Sequence, residues 1–294
     1  MAYLIAKDLS KQIQSENLNA IIGGDTSIIT GAELAAMAEA QSYLTQRYDI
    51  SREFADLLQW DRTQIYKAIN RVYLNANAYS ASNTYAVNSL VLQAGSVYKC
   101  TTAITVAEAF NVAKWALLGL QYDLYFAKTP YPEFDYSNLY NVGDRVFWNN
   151  KTYTCLIATK IMGQSSAIQY NKTQNLPYPN VAPDDVSLGA QYWGTGTAYT
   201  VPAATDISNT TYWTAGDNRS QQLVLYIIDI ALYHVHSRIS PRNIPDLRVK
   251  RYDDAIKWLK MAAKGDITPN LPMIKPEQGQ RIRFGGGIKL INSY

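Results

Sequence analysis

The stretch Leu223-Val224-Leu225-Tyr226-Ile227-Ile228-Asp229-Ile230-Ala231-Leu232 decides the fold. Its apolar residues lie on nearly every side of a 3.6-residue helix, so that helix is expected to be central and buried. Downstream, Ser240-Pro241-Arg242-Asn243-Ile244-Pro245 reads as a turn. A last helix is predicted from about Asp246 to Lys264, with Gly265 where a C-terminal glycine cap belongs. Upstream, from Asn75 to Asn218, the texture changes to Asn, Thr, Ser, Tyr and Val with many turn residues, the signature of small β-structure.

Before that stretch helical character returns. Tyr3-Leu4-Ile5 leads to a short amphipathic run through Ile13 and Leu18, broken at Gly23-Gly24. Thr30 with Glu33 three residues later makes a capping-box pattern. The helix it predicts places Leu34, Met37, Leu44 and Tyr48 near one stripe. A second helix is predicted over about Arg52 to Tyr73, because Phe54, Leu57, Leu58, Ile65, Ile69 and Val72 recur with a period near 3.6.

The fold class expected is α+β, a helical bundle core built from the N- and C-terminal segments. An inserted all-β region of two small related modules would leave it from a loop. In numbers, 1–75 and 220–265 form the core, 76–120 the first module, 121–219 the second with a long loop, and 266–294 an extended tail. The two ends of an inserted domain usually lie close together, so such an insertion disturbs its host little.

Composition bounds the function. An apolar fraction of 47% allows a real core and disfavours a disordered chain. Leu223 to Val235, the longest apolar run, is too short to span a membrane and carries Asp229. No basic stretch followed by an apolar block opens the sequence, so folding in a cytoplasm is expected. Net charge is −2 over residues 1–75, −1 over 76–220 and +6 over 221–294. That concentration of positive charge reads either as a solvated helix face with a basic tail, or as a surface near nucleic acid or an acidic partner. The 23 tyrosines against 6 phenylalanines suit interfaces and exposed strands alike.

No Gly-x-Ser-x-Gly, phosphate loop or His–carboxylate cluster appears, so no enzyme activity and no cofactor are expected. Asp184-Asp185 reads as a solvated turn. His234 and His236 are two apart on a predicted helix and point to different faces, which disfavours a shared metal.

Inside the β region the chain repeats itself. With an offset of 55, Asn83 aligns with Asn138, Tyr85 with Tyr140, Val91 with Val146, Tyr98 with Tyr153 and Cys100 with Cys155. Each copy predicts a β-hairpin, with turns at Ala94-Gly95 and Asn149-Asn150 and a second strand ending in Tyr-x-Cys. Asn111 to Trp115 further matches Asn209 to Trp213 at an offset of 98, which gives the second copy 43 extra residues over roughly 160–202. The two cysteines then read as buried free thiols, one in each small core.

The run Tyr140-Asn-Val-Gly143-Asp144-Arg-Val146-Phe-Trp148-Asn-Asn-Lys-Thr-Tyr153-Thr-Cys155 resembles the small chitin-binding-type carbohydrate modules. The first copy has Asn88-Ser89 in place of Gly-Asp. In binding versions, aromatics after the Tyr-x-Cys strand stack on sugar rings. Here those positions read Thr101-Thr102-Ala103 and Leu156-Ile157-Ala158. Trp115 and Trp213 are expected in the module cores, leaving Trp148 and Trp193 as possible exposed aromatics for sugar contact.

A second resemblance lies in Asp229-Ile-Ala231-Leu-Tyr233, Arg238, and Arg251-Tyr252-Asp253-Asp254-Ala255-Ile256-Lys257-Trp258-Leu259-Lys260, with Ala40-Gln-Ser-Tyr43-Leu44-Thr-Gln-Arg47-Tyr48. These residues resemble the head–tail connector proteins of tailed phages, of the Mu-like helical adaptor type. The resemblance implies a virion neck protein in a homo-oligomeric ring of about twelve copies, stacked under the portal protein and beside other neck or tail proteins. Double-stranded DNA would pass its lumen without sequence reading. Lys250, Arg251, Lys257, Lys260 and Lys264 are the candidates to face that DNA, although surface solubility accounts for most of them equally well. Arg281, Arg283, Phe284 and Lys289 of the glycine-rich tail are candidates to meet the portal or a neighbour. The alternative reading is a carbohydrate-binding or host-recognition virion protein acting through the β modules.

Overall fold

The computed structural model describes residues 3–135, 138–158, 181–186 and 189–274, and the backbone of 170–171 and 176–177. The architecture is mixed α+β, with helices at both ends and strands between. The chain opens with α1 (Ala6–Leu9), α2 (Ser15–Ile22), α3 (Thr26–Leu44) and α4 (Ile50–Glu53). Strands β1 (Leu57–Gln59), β2 (Arg71–Tyr73), β3 (Leu90–Gln93), β4 (Ser96–Cys100), β5 (Trp115–Leu120) and β6 (Leu124–Ala127) follow. Then come β7 (Arg145–Trp148), β8 (Lys151–Thr154), β9 (Tyr170–Asn171), β10 (Leu176–Pro177), α5 (Gly189–Tyr192), β11 (Thr197–Ala198) and β12 (Trp213–Ala215). The long helices α6 (Gln221–Ile239) and α7 (Asp246–Lys264) close the sequence of elements.

The helical core is built around α6. Leu223, Val224, Ile227, Ile228, Ile230, Ala231 and Leu232 are fully buried, as expected of a helix apolar on all sides. Against it α3 lays Ile29, Ala32, Ala36, Met37, Ala40 and Leu44, and α7 lays Ala255, Trp258, Leu259 and Ala262. Tyr3, Leu4, Tyr48 and Phe54 join the same cluster, so residues from both ends of the sequence share one core. Each large apolar side chain buried there contributes about 1.5–3 kcal/mol.

Two N-terminal expectations are corrected. The cap of α3 is Asp25, whose carboxylate accepts from Ser27 N at 2.9 Å, while Thr30 lies inside the helix and donates to Thr26 O. Gly23 and Gly24 take positive φ and end α2, so Asp25 is the first residue able to cap α3. Leu34, placed on the predicted core stripe, is instead 47% exposed.

No helix runs from Arg52 to Tyr73; only Ile50–Glu53 is helical. Two local turns break the period. Asp61 accepts from both the N and Oγ1 of Thr63, and Asn70 Oδ1 accepts from Lys67 N. Ile65 is 66% exposed, while Leu57, Trp60, Tyr66, Val72 and Leu74 are buried. There β1 and β2 pair in parallel, in a four-stranded sheet ordered β1-β2-β6-β12. Its cluster adds Val97, Ala127, Val201, Ile207 and Trp213.

The repeat is real and deeper than its letters. In the first copy β3-β4-β5 form a sheet; in the second β7-β8-β11 do. Ala94-Gly95 and Asn149-Asn150 all take positive φ, the geometry of a two-residue hairpin turn whose twist matches its strands. The hydrogen bonds repeat at the same offset. Asn88 N donates to Cys100 O and Gly143 N to Cys155 O, both at 2.8 Å. Asn88 and Gly143 both take positive φ, so Asn is tolerated where the second copy has Gly. Tyr85 Oη accepts from Ser80 N, and Tyr140 Oη from Asp135 N. The thiols of Cys100 and Cys155 are buried and free, and each donates to the carbonyl two residues on.

The tryptophan alignment is corrected. Cys100 pairs with Trp115 and Cys155 with Trp193, so Trp193 is the counterpart of Trp115. The offset is then 78, and the second copy holds 23 extra residues. Trp213 instead sits opposite Ala127 in the four-stranded sheet. The short motif Asn-x-x-x-Trp recurs by chance there, because Asn caps a turn before a strand in both places.

Where the chain leaves the bundle and returns to it, buried charges hold the crossing. Arg219 donates to both Asp8 oxygens at 2.8 and 3.1 Å, to both Asp217 oxygens, and to Tyr3 O. Glu53 accepts from Tyr3 Oη at 2.7 Å and from Ser220 N at 3.1 Å. Arg71 reaches Glu53 O and Asn218 Oδ1. Burial alone would raise the carboxyls of Asp8 and Asp217, but the Arg219 guanidinium outweighs it and holds both below their ordinary value.

Candidate assembly surface

The α6–α7 hairpin carries most of the charged residues that the sequence points to, and its geometry follows from its sequence. Ser220 caps α6, and the chain turns through Pro241 and Pro245 into α7. Gly265 ends α7 at φ 86°, a left-handed conformation strained for other residues, and the Arg47 guanidinium packs against it. The helices meet through aromatic pairs. Tyr226 lies 5.0 Å from Trp258, and Tyr233 stacks on Tyr252 at 4.2 Å between ring centres. Glu39 of α3 locks the pair from the side, accepting from Tyr252 Oη at 2.8 Å and lying 3.1 Å from His234 Nε2.

One ion cluster is buried in the hairpin. Asp229 of α6 lies 3.8 Å from Arg248 and 3.6 Å from Arg251 of α7. Arg251 also donates to Gln12 Oε1. Burial raises the Asp229 carboxyl above its ordinary value despite the two arginines. Arg251 is therefore tied into the helix–helix contact and is only half exposed.

The other four candidates, all lysines, behave differently. Lys250, Lys257, Lys260 and Lys264 are exposed on the outer side of α7. Lys250, Lys257 and Lys264 recur every seven residues and so share one stripe of the helix. Shallow concavities of about 380 and 350 Å³ flank that stripe, and Lys257 and Met261 line both. Tyr226, Asp254 and Trp258 edge the first, Asp253, Lys260, Lys264 and Asp266 the second. Acidic and basic side chains are thus interleaved along α7, with three lysines and no acid from Lys257 to Lys264.

The tail candidates Arg281, Arg283, Phe284 and Lys289 lie outside the described residues. The sugar-contact candidates do not reach the surface. Trp148 is 5% and Trp193 1% exposed. Trp148 Nε1 donates to Asp184 at 2.7 Å and Trp193 Nε1 to Val181 O at 3.1 Å, and both pack on Phe134. The exposed-aromatic expectation is corrected, and Asp184 is a partner of Trp148 rather than a bare turn residue. Among the described residues no cluster of His, Cys, Asp and Glu suits a metal ion, and no helix is long and apolar enough to cross a membrane.

Sequence reasoning missed the Arg219 crossing and the Asp229 cluster. For Asp229 a signal existed, an acid inside an otherwise apolar run, which in a buried helix demands a partner. Arg219 gave none, since its partners lie 211 residues upstream and two residues away.

No curated protein matches the chain. A family model, described as Bacteriophage Mu, Gp36, matches residues 214–283. That span holds the return crossing at Asp217–Arg219, both helices of the hairpin and the Gly265 cap. Over the hairpin and its basic stripe, then, the chain is similar to Bacteriophage Mu Gp36, which supports a phage virion protein of Mu-like type.

Proposed function

We propose that this chain is a structural subunit of a ring in the neck of a tailed phage, between portal and tail, with a lumen through which double-stranded DNA passes. The observation that carries the proposal is the exposed lysine stripe of α7 on a hairpin similar to a Mu-like phage family. A lumen for DNA needs only diffuse positive charge, since phosphate contacts carry no sequence information. Lys250, Lys257, Lys260 and Lys264 supply it, and Arg251 serves the helix contact instead. Ring subunits need two different faces that meet head to tail. Two unlike faces are present, the charged one of α7 and the uncharged one of α3. In this reading Arg281, Arg283, Phe284 and Lys289 meet the portal or a neighbouring copy.

Carbohydrate or host recognition is weakened as an alternative by the burial of Trp148 and Trp193. The test is native mass spectrometry and negative-stain imaging of the purified chain, alone and with its portal protein. Closed rings are expected. A chain that stays monomeric at all concentrations and ignores the portal would sink the proposal.

A further inference from the structure

The two β modules carry their apolar surfaces in opposite places. In the first, Leu90, Leu92 and Val97 on the outer face of its sheet pack into the cluster of the four-stranded sheet. At the offset of 55 the second module has Arg145, Phe147 and Thr152 there. Where the Tyr-x-Cys strand ends, the order reverses. The second module has Leu139, Val142, Leu156 and Ile157, all between 44% and 65% exposed. The first has Thr84, Val87, Thr101 and Thr102 at the same positions. Gly143 N donates to Cys155 O and Cys155 N to Asp144 O, both at 2.8 Å, which sets Val142 beside Leu156. Asn88 N and Cys100 N make the same two bonds in the first module. The module therefore folds with threonines at this end, and the aliphatic residues of the second copy serve no core of their own. An exposed aliphatic cluster that the fold does not require marks a contact surface.

Its rim is acidic. From Pro132 to Asp144 the chain holds Glu133, Asp135 and Asp144 and no basic residue. Asp144 is exposed next to the cluster, while Arg145 turns to the other face, over the Tyr131 ring. The turn between α6 and α7 is the complement. Ile239 and Leu247 are 41% and 58% exposed there. Arg238 and Arg242 are exposed beside them, with no acid from Arg238 to Pro245. Pro241 and Pro245 restrict the turn, so little freedom is lost on docking. Apolar ground edged by opposite charge is the pattern of a specific contact. Arg52, next to the crossing, pairs with Glu133 at 3.7 Å and holds the start of the second module there. The turn lies at the far end of α6, roughly 28 Å away, so the match falls between copies.

We infer that the α6–α7 turn of one copy seats on the Leu139, Val142, Leu156 and Ile157 end of the second module of the next copy, with Arg238 and Arg242 toward the acidic rim. The two surfaces are unlike, so the contact runs head to tail and repeats from copy to copy. It uses neither α3 nor the lysine stripe of α7, and it stands whether or not the copies close into a ring.

The test uses the full chain. Leu139→Thr, Leu156→Thr and Ile157→Thr together install the residues of the first module, so the melt should stay in place. Self-association, read by analytical ultracentrifugation, should weaken by about tenfold or more. Arg242→Asp with Leu247→Thr, on the other surface, should weaken it as much. Unchanged association in either variant, or a parent chain that does not self-associate, overturns the inference. Thiol linking gives a second readout that holds even if those variants misfold. Chains with Ile157→Cys mixed with chains with Leu247→Cys should give mixed dimers with a short bis-maleimide, and Thr102→Cys in place of Ile157→Cys should give none. The native thiols are 0% and 1% exposed and do not compete. No mixed dimers, or equal linking from Thr102→Cys, overturns the inference. Closed rings that persist in the threonine variant sink this contact and leave the ring reading standing; mixed dimers without closed rings do the reverse.

Discussion

Substituting Arg219 by Met leaves Asp8, 2% exposed, without its bidentate partner. Breaking a buried pair from one side strands the other charge, so a loss of about 3–5 kcal/mol is expected in urea unfolding. The pH dependence has a definite sign. Asp8 and Asp217 titrate lower when folded than when unfolded, so their stabilisation is complete above about pH 4 and is lost as pH falls through the folded values. The Met variant should flatten that acid arm; an unchanged acid transition would show that other groups set it. Ala94 is a smaller case. It takes φ 49° in a two-residue turn before Gly95, a conformation costly to an L-residue with no local hydrogen bond to offer. Ala94→Asn creates the Asn-Gly turn and should raise stability by about 0.5–1 kcal/mol in the same assay. Turns of this kind were legible in the sequence because their chemistry is local. Arg219 was not, because nothing near it in sequence announces Asp8.

Elements were legible where one local rule acted alone. Helices α6 and α7 and the paired hairpins follow their periods and turn residues, and the matching Tyr-x-Cys strands exposed the repeat. The predicted helix over Arg52–Tyr73 failed because two side-chain turns and a parallel strand pair outweighed a coincidental 3.6 period. The register of Trp213 failed because spacing alone cannot tell a module core from the neighbouring sheet. These corrections change where the insertion can be cut. Excising Asn77–Asp217 would remove β6 and β12 and leave Trp60, Tyr66, Val72 and Leu74 without their sheet partners. Excising 55–216 removes that sheet whole, and the Glu53 carboxylate, which accepts from Ser220 N at 3.1 Å, shows that the two flanks meet where a short linker can close the gap. The second variant should be soluble with a helical circular-dichroism spectrum and a cooperative melt, the first should aggregate. Equal behaviour of the two would argue that the four-stranded sheet is no unit of its own.

At the scale of the whole molecule, part of the charge segregation of the sequence, among the described residues, is the exposed stripe of Lys250, Lys257 and Lys264, and the sequence could not say which lysines would be free. If the stripe lines a DNA channel, Lys257→Glu, Lys260→Glu and Lys264→Glu together should leave the fold intact. They should also reduce the salt slope of non-specific DNA binding by about 0.9 for each phosphate no longer neutralised. An unaltered slope would take these lysines off the DNA. Deleting Lys275–Tyr294 should weaken assembly, read by native mass spectrometry, while leaving the melt in place. The clamp at the crossing also bears on synthesis. Tyr3 O and Arg219 are 216 residues apart, so the first helices leave the ribosome about 10–40 s before their partner exists, at roughly 5–20 residues per second. The modules between them can form in that interval and, once formed, bring the waiting ends within reach, which lowers the entropy still to be lost on closure. The middle of this polypeptide thus matures ahead of both its ends, and nascent chains stalled before residue 220 should already protect the modules, but not α3, from protease.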